Sequence, residues 1–140
     1  MSKKVKPEDL QSVLKDYLEN YVEDIQDDVE EATDTITKEA KNELRQVSRE
    51  KFKLHGRDTP YYQGWAIRMG ARTRKSNYRY TKVIWNKTNY QLTHLLEFGH
   101  ATRNGGQTKP RPHIRPVEEK YGTKFADLLG KKIRRTSKWL

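Results

Sequence analysis

The chain has no cysteine, two methionines, three phenylalanines and an apolar share of only 33%. Without cysteine there can be no disulfide, no thiolate nucleophile and no zinc site built on sulfur. That apolar share lies well under the ~45–50% of an average soluble domain, so a core built by a single copy of these 140 residues is expected to be thin. Self-association is therefore anticipated from composition. No run approaches the ~18 consecutive apolar residues that would cross a bilayer, and the basic start MSKKVKP is not followed by an apolar stretch, so neither a membrane span nor an export signal is expected. Internal repeats and low-complexity tracts are likewise missing from the sequence.

Charge is what the chain has in quantity. Lys and Arg number 29 against 19 Asp and Glu, a formal net charge of +10. The distribution is polarised: residues 1–50 hold 14 acidic and 8 basic side chains, and residues 51–140 hold 5 and 21. Such a chain can draw a polyanion to one surface, or draw the acidic end of one copy to the basic end of another. Composition does not separate the two.

Periodicity divides the chain into elements. From Pro7 onward, apolar residues recur three or four apart as Leu10, Leu14, Leu18, Tyr21 or Val22, Ile25, Val29, Ala32, Ile36, Ala40, Leu44 and Val47, which predicts one stripe of an amphipathic helix. Pro7, Glu8 and Asp9 suit its start, Gly56 offers a stop, and the weak helix formers Asp34-Thr35-Ile36-Thr37 mark the expected kink. At 1.5 Å per residue this helix would reach roughly 65 Å, so part of it must project or break.

After a turn-rich connection at 56–64, the alternation of Trp65, Ile67 and Met69 and the β-rich run from Tyr78 to Trp85 predict an antiparallel hairpin with a basic tip at about Arg72 to Asn77. Both tryptophans, Trp65 and Trp85, are expected in the core. Tyr90 to Phe98 follows at helical spacing, with Leu92, Leu95 and Leu96 inward and Gly99 as its stop. The polar loop His100 to Pro112, with Gly105-Gly106, is expected to act outside the fold. Ile114 suits a short edge strand, and Pro116 opens a last helix that buries Val117, Tyr121, Phe125, Leu128, Leu129 and Ile133. The expected fold class is α+β: a long N-terminal helix over 1–55 and a core over 56–140, one domain overall, with two further helices packed on a small antiparallel sheet.

Two blocks, Tyr90-Gln91-Leu92-Thr93-His94-Leu95-Leu96-Glu97-Phe98-Gly99-His100-Ala101 and Pro112-His113-Ile114-Arg115-Pro116, flank Asn104-Gly105-Gly106. In this order they resemble the minor tail, or tail-completion, proteins of long-tailed phages and prophages, which carry a short HLLEFGH helix, a Gly-rich loop and a PHIRP turn. Tyr62-Gln63-Gly64-Trp65 is similar to the family's approach to its first strand, although Thr59-Pro60-Tyr61 stands where Thr-Gly is more usual. The resemblance covers about 57–120, and the long helix matches only in kind. It implies a structural virion protein that forms a ring, a hexamer, at the head-proximal end of the tail and helps join tail to head. Its implied partners are further copies, the tail tube or tail terminator protein and the head connector proteins. The implied location is the virion neck, with assembly in the host cytoplasm, and neither catalysis nor a cofactor is implied.

Residue by residue, the chemistry is sparse. His94 and Glu97 lie three apart, but the spacing fits no established metal-ligand motif, and His94 and His100 are expected to act as hydrogen-bonding groups. Glu97 is the sole acid between Asp58 and Glu118 and is expected to pair with an arginine such as Arg115, within the chain or across a subunit boundary. No nucleophile, carboxylate pair or phosphate loop assembles into an enzyme site. The candidate contacts with another copy or a partner are Glu97, His100, Arg103, Arg115 and Trp139. Arg72, Arg74, Lys75, Arg79 and Lys82, interleaved with Tyr78 and Tyr80, read as a solvated hairpin tip, as contacts with an acidic protein surface or as the candidate DNA contacts, and the Lys131 to Lys138 cluster shares the ambiguity. A nucleic-acid-binding protein that uses this hairpin is the alternative reading, although no established DNA- or RNA-binding motif is present.

Overall fold

The structure, a computed structural model, describes residues 6–52, 60–74 and 76–138. After one 3₁₀ turn at Pro7–Asp9 comes helix α1, Leu10–Lys51. Strands β1, Trp65–Thr73, and β2, Arg79–Asn86, form a two-stranded antiparallel hairpin. Helix α2 spans Tyr90–Phe98 and helix α3 spans Ile114–Ser137. The fold is α+β, with the shorter helices packed on α1 and the sheet.

Helix α1 runs without a break through Asp34-Thr35-Ile36-Thr37, where a kink was expected. Tertiary contacts offset the weak propensity there. The Asp34 carboxylate accepts the Tyr80 hydroxyl at 2.7 Å and pairs with Lys82 Nζ at 2.6 Å, and Thr37 is buried with its hydroxyl on the Thr33 carbonyl. The helix ends at Lys51, and the expected stop, Gly56, lies outside the described residues.

Helix α3 lies antiparallel along α1. Lys120 pairs with Glu43, Lys132 with Glu31 at 3.0 Å, Thr136 with Asp28 at 2.5 Å, and the hydroxyls of Tyr21 and Ser137 meet at 2.6 Å. Cover by α3 therefore reaches only as far as Tyr21. Residues 10–20 of α1 project beyond it by roughly 16 Å and are exposed throughout.

The core is as thin as the composition suggests. Ala40, Leu44, Phe52, Tyr61, Trp65 and Val117 form the buried cluster, with Val47, Ile84, Leu92, Leu96, Ile114 and Tyr121 packed against it. Phe52, Tyr61, Trp65 and His113 meet edge to face, with ring centroids 4.8–6.0 Å apart. Trp65 also donates its indole N–H to the buried Ser48 hydroxyl at 2.9 Å. Gly64 approaches β2 so closely that a Cβ would lie 2.3 Å from both Asn86 Oδ1 and Thr88 Oγ1.

Three expectations need correction. Leu95 lies on the outer side of α2, 36% exposed, while Leu92 and Leu96 face the core. Ile114 belongs to no strand; it is the first residue of α3, with Pro116 in the first turn, where its missing N–H costs nothing. Trp85 is half-buried on the face of the hairpin turned away from α1, with the Arg68 guanidinium 5.7 Å from its ring centroid.

Candidate functional site

The two sequence blocks, separated by ten residues, meet in space. Glu97, at the end of α2, turns its carboxylate onto the start of α3. It accepts the backbone N–H of His113 at 3.0 Å and that of Ile114 at 2.7 Å. The α3 N-cap residue, His113, makes no side-chain cap of its own, so Glu97 supplies from another helix the acceptor and negative charge that a helix N-terminus favours. Within the chain, the expected ion pair with Arg115 does not form. Arg115 is exposed and pairs with Glu119 one turn on, at 3.1 Å, whereas Glu97 is 7% exposed and its charge serves the cap.

His113 lies behind this cap, fully buried. Its Nδ1 lies 3.1 Å from the Arg111 carbonyl, to which it donates, leaving Nε2 to accept the Tyr61 hydroxyl at 2.8 Å; Thr93 Oγ1 is 3.2 Å from the same hydroxyl. Burial lowers the imidazole pKa against the opposing pull of the Arg111 carbonyl and of Glu97, so the ring is neutral and its 3.7 Å approach to Glu97 is not an ion pair. Burial likewise pushes the Tyr61 hydroxyl up to about 12. Both groups stay uncharged at neutral pH and pack as hydrogen-bonded core.

This arrangement sets a pH dependence. The unfolded chain takes up a proton at His113 near 6.5 before the folded chain does, so the stability held by the neutral ring is complete above that pH and is lost as the pH falls through the window beneath it. Stability should drop on acidification from pH 7.5 to 5 by up to about 1.4 kcal/mol per pH unit within the window. Denaturant unfolding at several pH values checks this, with a His113→Gln variant expected to lose the slope; equal stability of the wild-type chain at both ends would contradict the neutral buried ring. Asp34 contributes lower down. Burial alone would raise its pKa, but Lys82 and Tyr80 hold it below its ordinary 3.8, so its share is present above that value and lost beneath it.

The loop between the blocks is closed by its own hydrogen bonds. Gly99 has φ +76° and ψ 170°, a backbone region almost restricted to glycine, and a Cβ there would lie 2.5 Å from the Thr108 carbonyl. His100 acts as the expected hydrogen-bonding group, its Nδ1 3.1 Å from Thr108 Oγ1, while an isolated bridge joins Ala101 to Gln107. His94 instead lays its ring against Phe98 with centroids 5.0 Å apart. Arg103 is exposed at the tip of the loop, and Trp139 lies outside the described residues.

The hairpin cations meet the acidic face of α1. The strand register shifts by one residue between Met69 and Arg72, and this bulge puts Arg72 opposite Tyr80, on the α1-facing side of the sheet. Arg74 pairs with Asp27 at 2.9 Å and with Glu30, Arg72 lies 3.7 Å from Glu30, and Lys82 pairs with Asp34. Arg79 is exposed and in no ion pair among the described residues, and Lys75 lies outside them. The polarised charge of the sequence is thus partly compensated inside one copy, an arrangement the composition did not suggest. Its sequence signal was the spacing of Asp27, Glu30 and Asp34 on one side of α1, facing a basic hairpin.

Charges left over lie elsewhere. Lys124, Lys131, Arg135 and Lys138 recur along one face of α3, all exposed and outside any ion pair among the described residues. Among the described residues no three His, Asp or Glu side chains gather as metal ligands, and no helix is long and apolar enough to cross a membrane. Compared with models of protein families, with curated proteins and with solved structures, the chain matches none of them.

Proposed function

We propose that this chain is a structural virion assembly protein, a tail-completion subunit that forms a ring, a hexamer, at the head-proximal end of a phage tail and contributes to head–tail joining. The observation that carries the reading is the apolar face of α1 beyond the end of α3, which nothing among the described residues covers. Leu10, Leu14, Leu18 and Val22 are each 49–57% exposed, four large apolar residues in a chain that has few to spare. Monomers rarely leave such a stripe in water, and a closed ring covers it without leaving an open end. The order of the two sequence blocks supports the tail-completion assignment. Their joining at Glu97 gives them a physical purpose, because one block caps the helix that the other begins.

In this reading the partners are further copies, the tail tube or tail terminator protein and the head connectors, and the protein is carried in the neck of the virion. The nucleic-acid-binding alternative is favoured by a different observation from the one first expected. Arg72, Arg74 and Lys82 are engaged by α1, whereas Lys124, Lys131, Arg135 and Lys138 on α3 are in no ion pair among the described residues.

Native mass spectrometry of the purified protein, alone and with tail tubes, separates the two. A ring subunit should appear as one closed species of fixed copy number, with DNA binding that is weak per subunit and steeply reduced by salt. A monomer under both conditions that binds duplex DNA at nanomolar strength would favour the alternative.

A further inference from the structure

The projecting segment of α1 has a counterpart on the same chain. A groove of about 1050 Å3 runs between α2 and the first turns of α3, lined by Tyr90, His94 and Phe98 on one side and by Ile114, Glu118 and Gly122 on the other. Tyr90 is 59% and Phe98 66% exposed, so the groove presents aromatic surface that nothing in the described chain covers. We propose that this groove receives the α1 segment from Leu10 to Val22 of a second copy of the chain. The proposal rests on the ring reading above and names the contact that would build it.

Three observations select this occupant. The first is position. The groove lies beside the far end of α1, where Lys51 donates to the Pro112 carbonyl and Lys120 pairs with Glu43, while the apolar stripe lies at the other end. From Val22 to Lys51 the helix rises roughly 44 Å, so a chain cannot fill its own groove. The contact has to join different surfaces of two copies, the head-to-tail arrangement from which rings are made.

The second is charge. The projecting segment and its flanks carry Glu8, Asp9, Asp16, Glu19, Glu23 and Asp24, none of them in an ion pair among the described residues. The loop that borders the groove carries Arg103, Lys109 and Arg111, exposed and equally unpaired among those residues. On the α3 wall Glu119 is taken by Arg115, which leaves Glu118 as its unpaired acid. Acidic helix and basic rim complement one another.

The third is Gly122. Glycine inside a helix costs about 1 kcal/mol relative to alanine, and here no contact among the described residues calls for it, because an added Cβ would meet none of their atoms within 4 Å. A bare stretch of helix on the wall of a groove lets another helix approach closely. The spacing of Leu10, Leu14, Leu18 and Val22 is that of an amphipathic helix laid in an apolar groove.

The absence of native cysteine makes the test direct. Leu14→Cys and Phe98→Cys are made in separate preparations, both at exposed positions, then mixed at high concentration and oxidised. The proposal predicts a covalent dimer in the mixture and in neither preparation alone. Adding Gly122→Leu to the Phe98→Cys chain should cut the yield at least tenfold without lowering the melting temperature, since the new side chain fills only the groove. A dimer from Leu14→Cys alone would mean that the projecting helices pair with each other and would overturn the proposal, as would no dimer at all. If native mass still shows a closed ring when the mixture fails to cross-link, this contact is wrong and the ring reading survives; a monomer with no cross-link removes both.

Discussion

Replacing Trp65 by alanine should destabilise the fold by about 3–5 kcal/mol, the range for truncating a buried aromatic side chain. The cost has two parts that can be read separately. The ring fills the centre of the cluster, with Tyr61 at 5.7 Å and His113 at 6.0 Å between centroids, and no other large side chain stands ready to occupy its place. Its N–H also satisfies the Ser48 hydroxyl, which is fully buried on α1. Trp65→Phe keeps most of the packing and loses the hydrogen bond, so it should cost about 1–3 kcal/mol. A domain with so small a core is expected near the lower end of the usual ~5–15 kcal/mol, so the alanine variant should be unfolded or nearly so in equilibrium denaturation. A wild-type melting curve for Trp65→Ala would mean that β1 does not pack on α1 as described.

The second large effect is expected at Glu97. Glu97→Ala leaves the backbone N–H groups of His113 and Ile114 facing a buried space with no acceptor, at a cost of at least about 2 kcal/mol. Glu97→Gln keeps one acceptor oxygen but sets an amide donor against two donors and removes the charge, so it should fall between the alanine variant and wild type. Arg115→Ala, by contrast, loses an exposed pair and should change stability by less than about 0.5 kcal/mol. Thermal unfolding of the three variants distinguishes a helix cap from an ion pair. Equal losses at Glu97 and Arg115 would restore the pairing first expected from the sequence.

These two residues also mark how far the sequence could be read. Elements with a strong period were legible: the stripe of α1, the hairpin strands and α2 with its Gly99 stop all lie where spacing put them. Local weakness was read too literally. Asp34 to Thr37 is poor helix in isolation, but Lys82 and Tyr80 hold Asp34 from another element, and such contacts leave no mark in a local window. The same reason hid the partner of Glu97. The isolation of that acid in a basic half suggested an arginine, whereas the groups it meets are backbone N–H groups, which every residue but proline carries and no sequence singles out.

The candidate site was legible in its residues and less so in its geometry. His113 entered the sequence reading as part of the Pro112 to Pro116 block, and it lies fully buried among Phe52, Tyr61 and Trp65. The basic hairpin was plain, but a one-residue bulge decides which way Arg72 and Arg74 face, and nothing in the run from Met69 to Thr73 announced it beyond Gly70. The exposed half of the α1 stripe had the same spacing as the buried half. Only the length of α3, which ends beside Tyr21, separates the two.

The most direct test of the ring-subunit reading is electron microscopy of purified phage particles that carry this protein, labelled with an antibody raised against it. Label confined to the junction of head and tail, over a ring of density that closes the tail tube, is the predicted result. Label absent from particles, or spread along the tail, would contradict it.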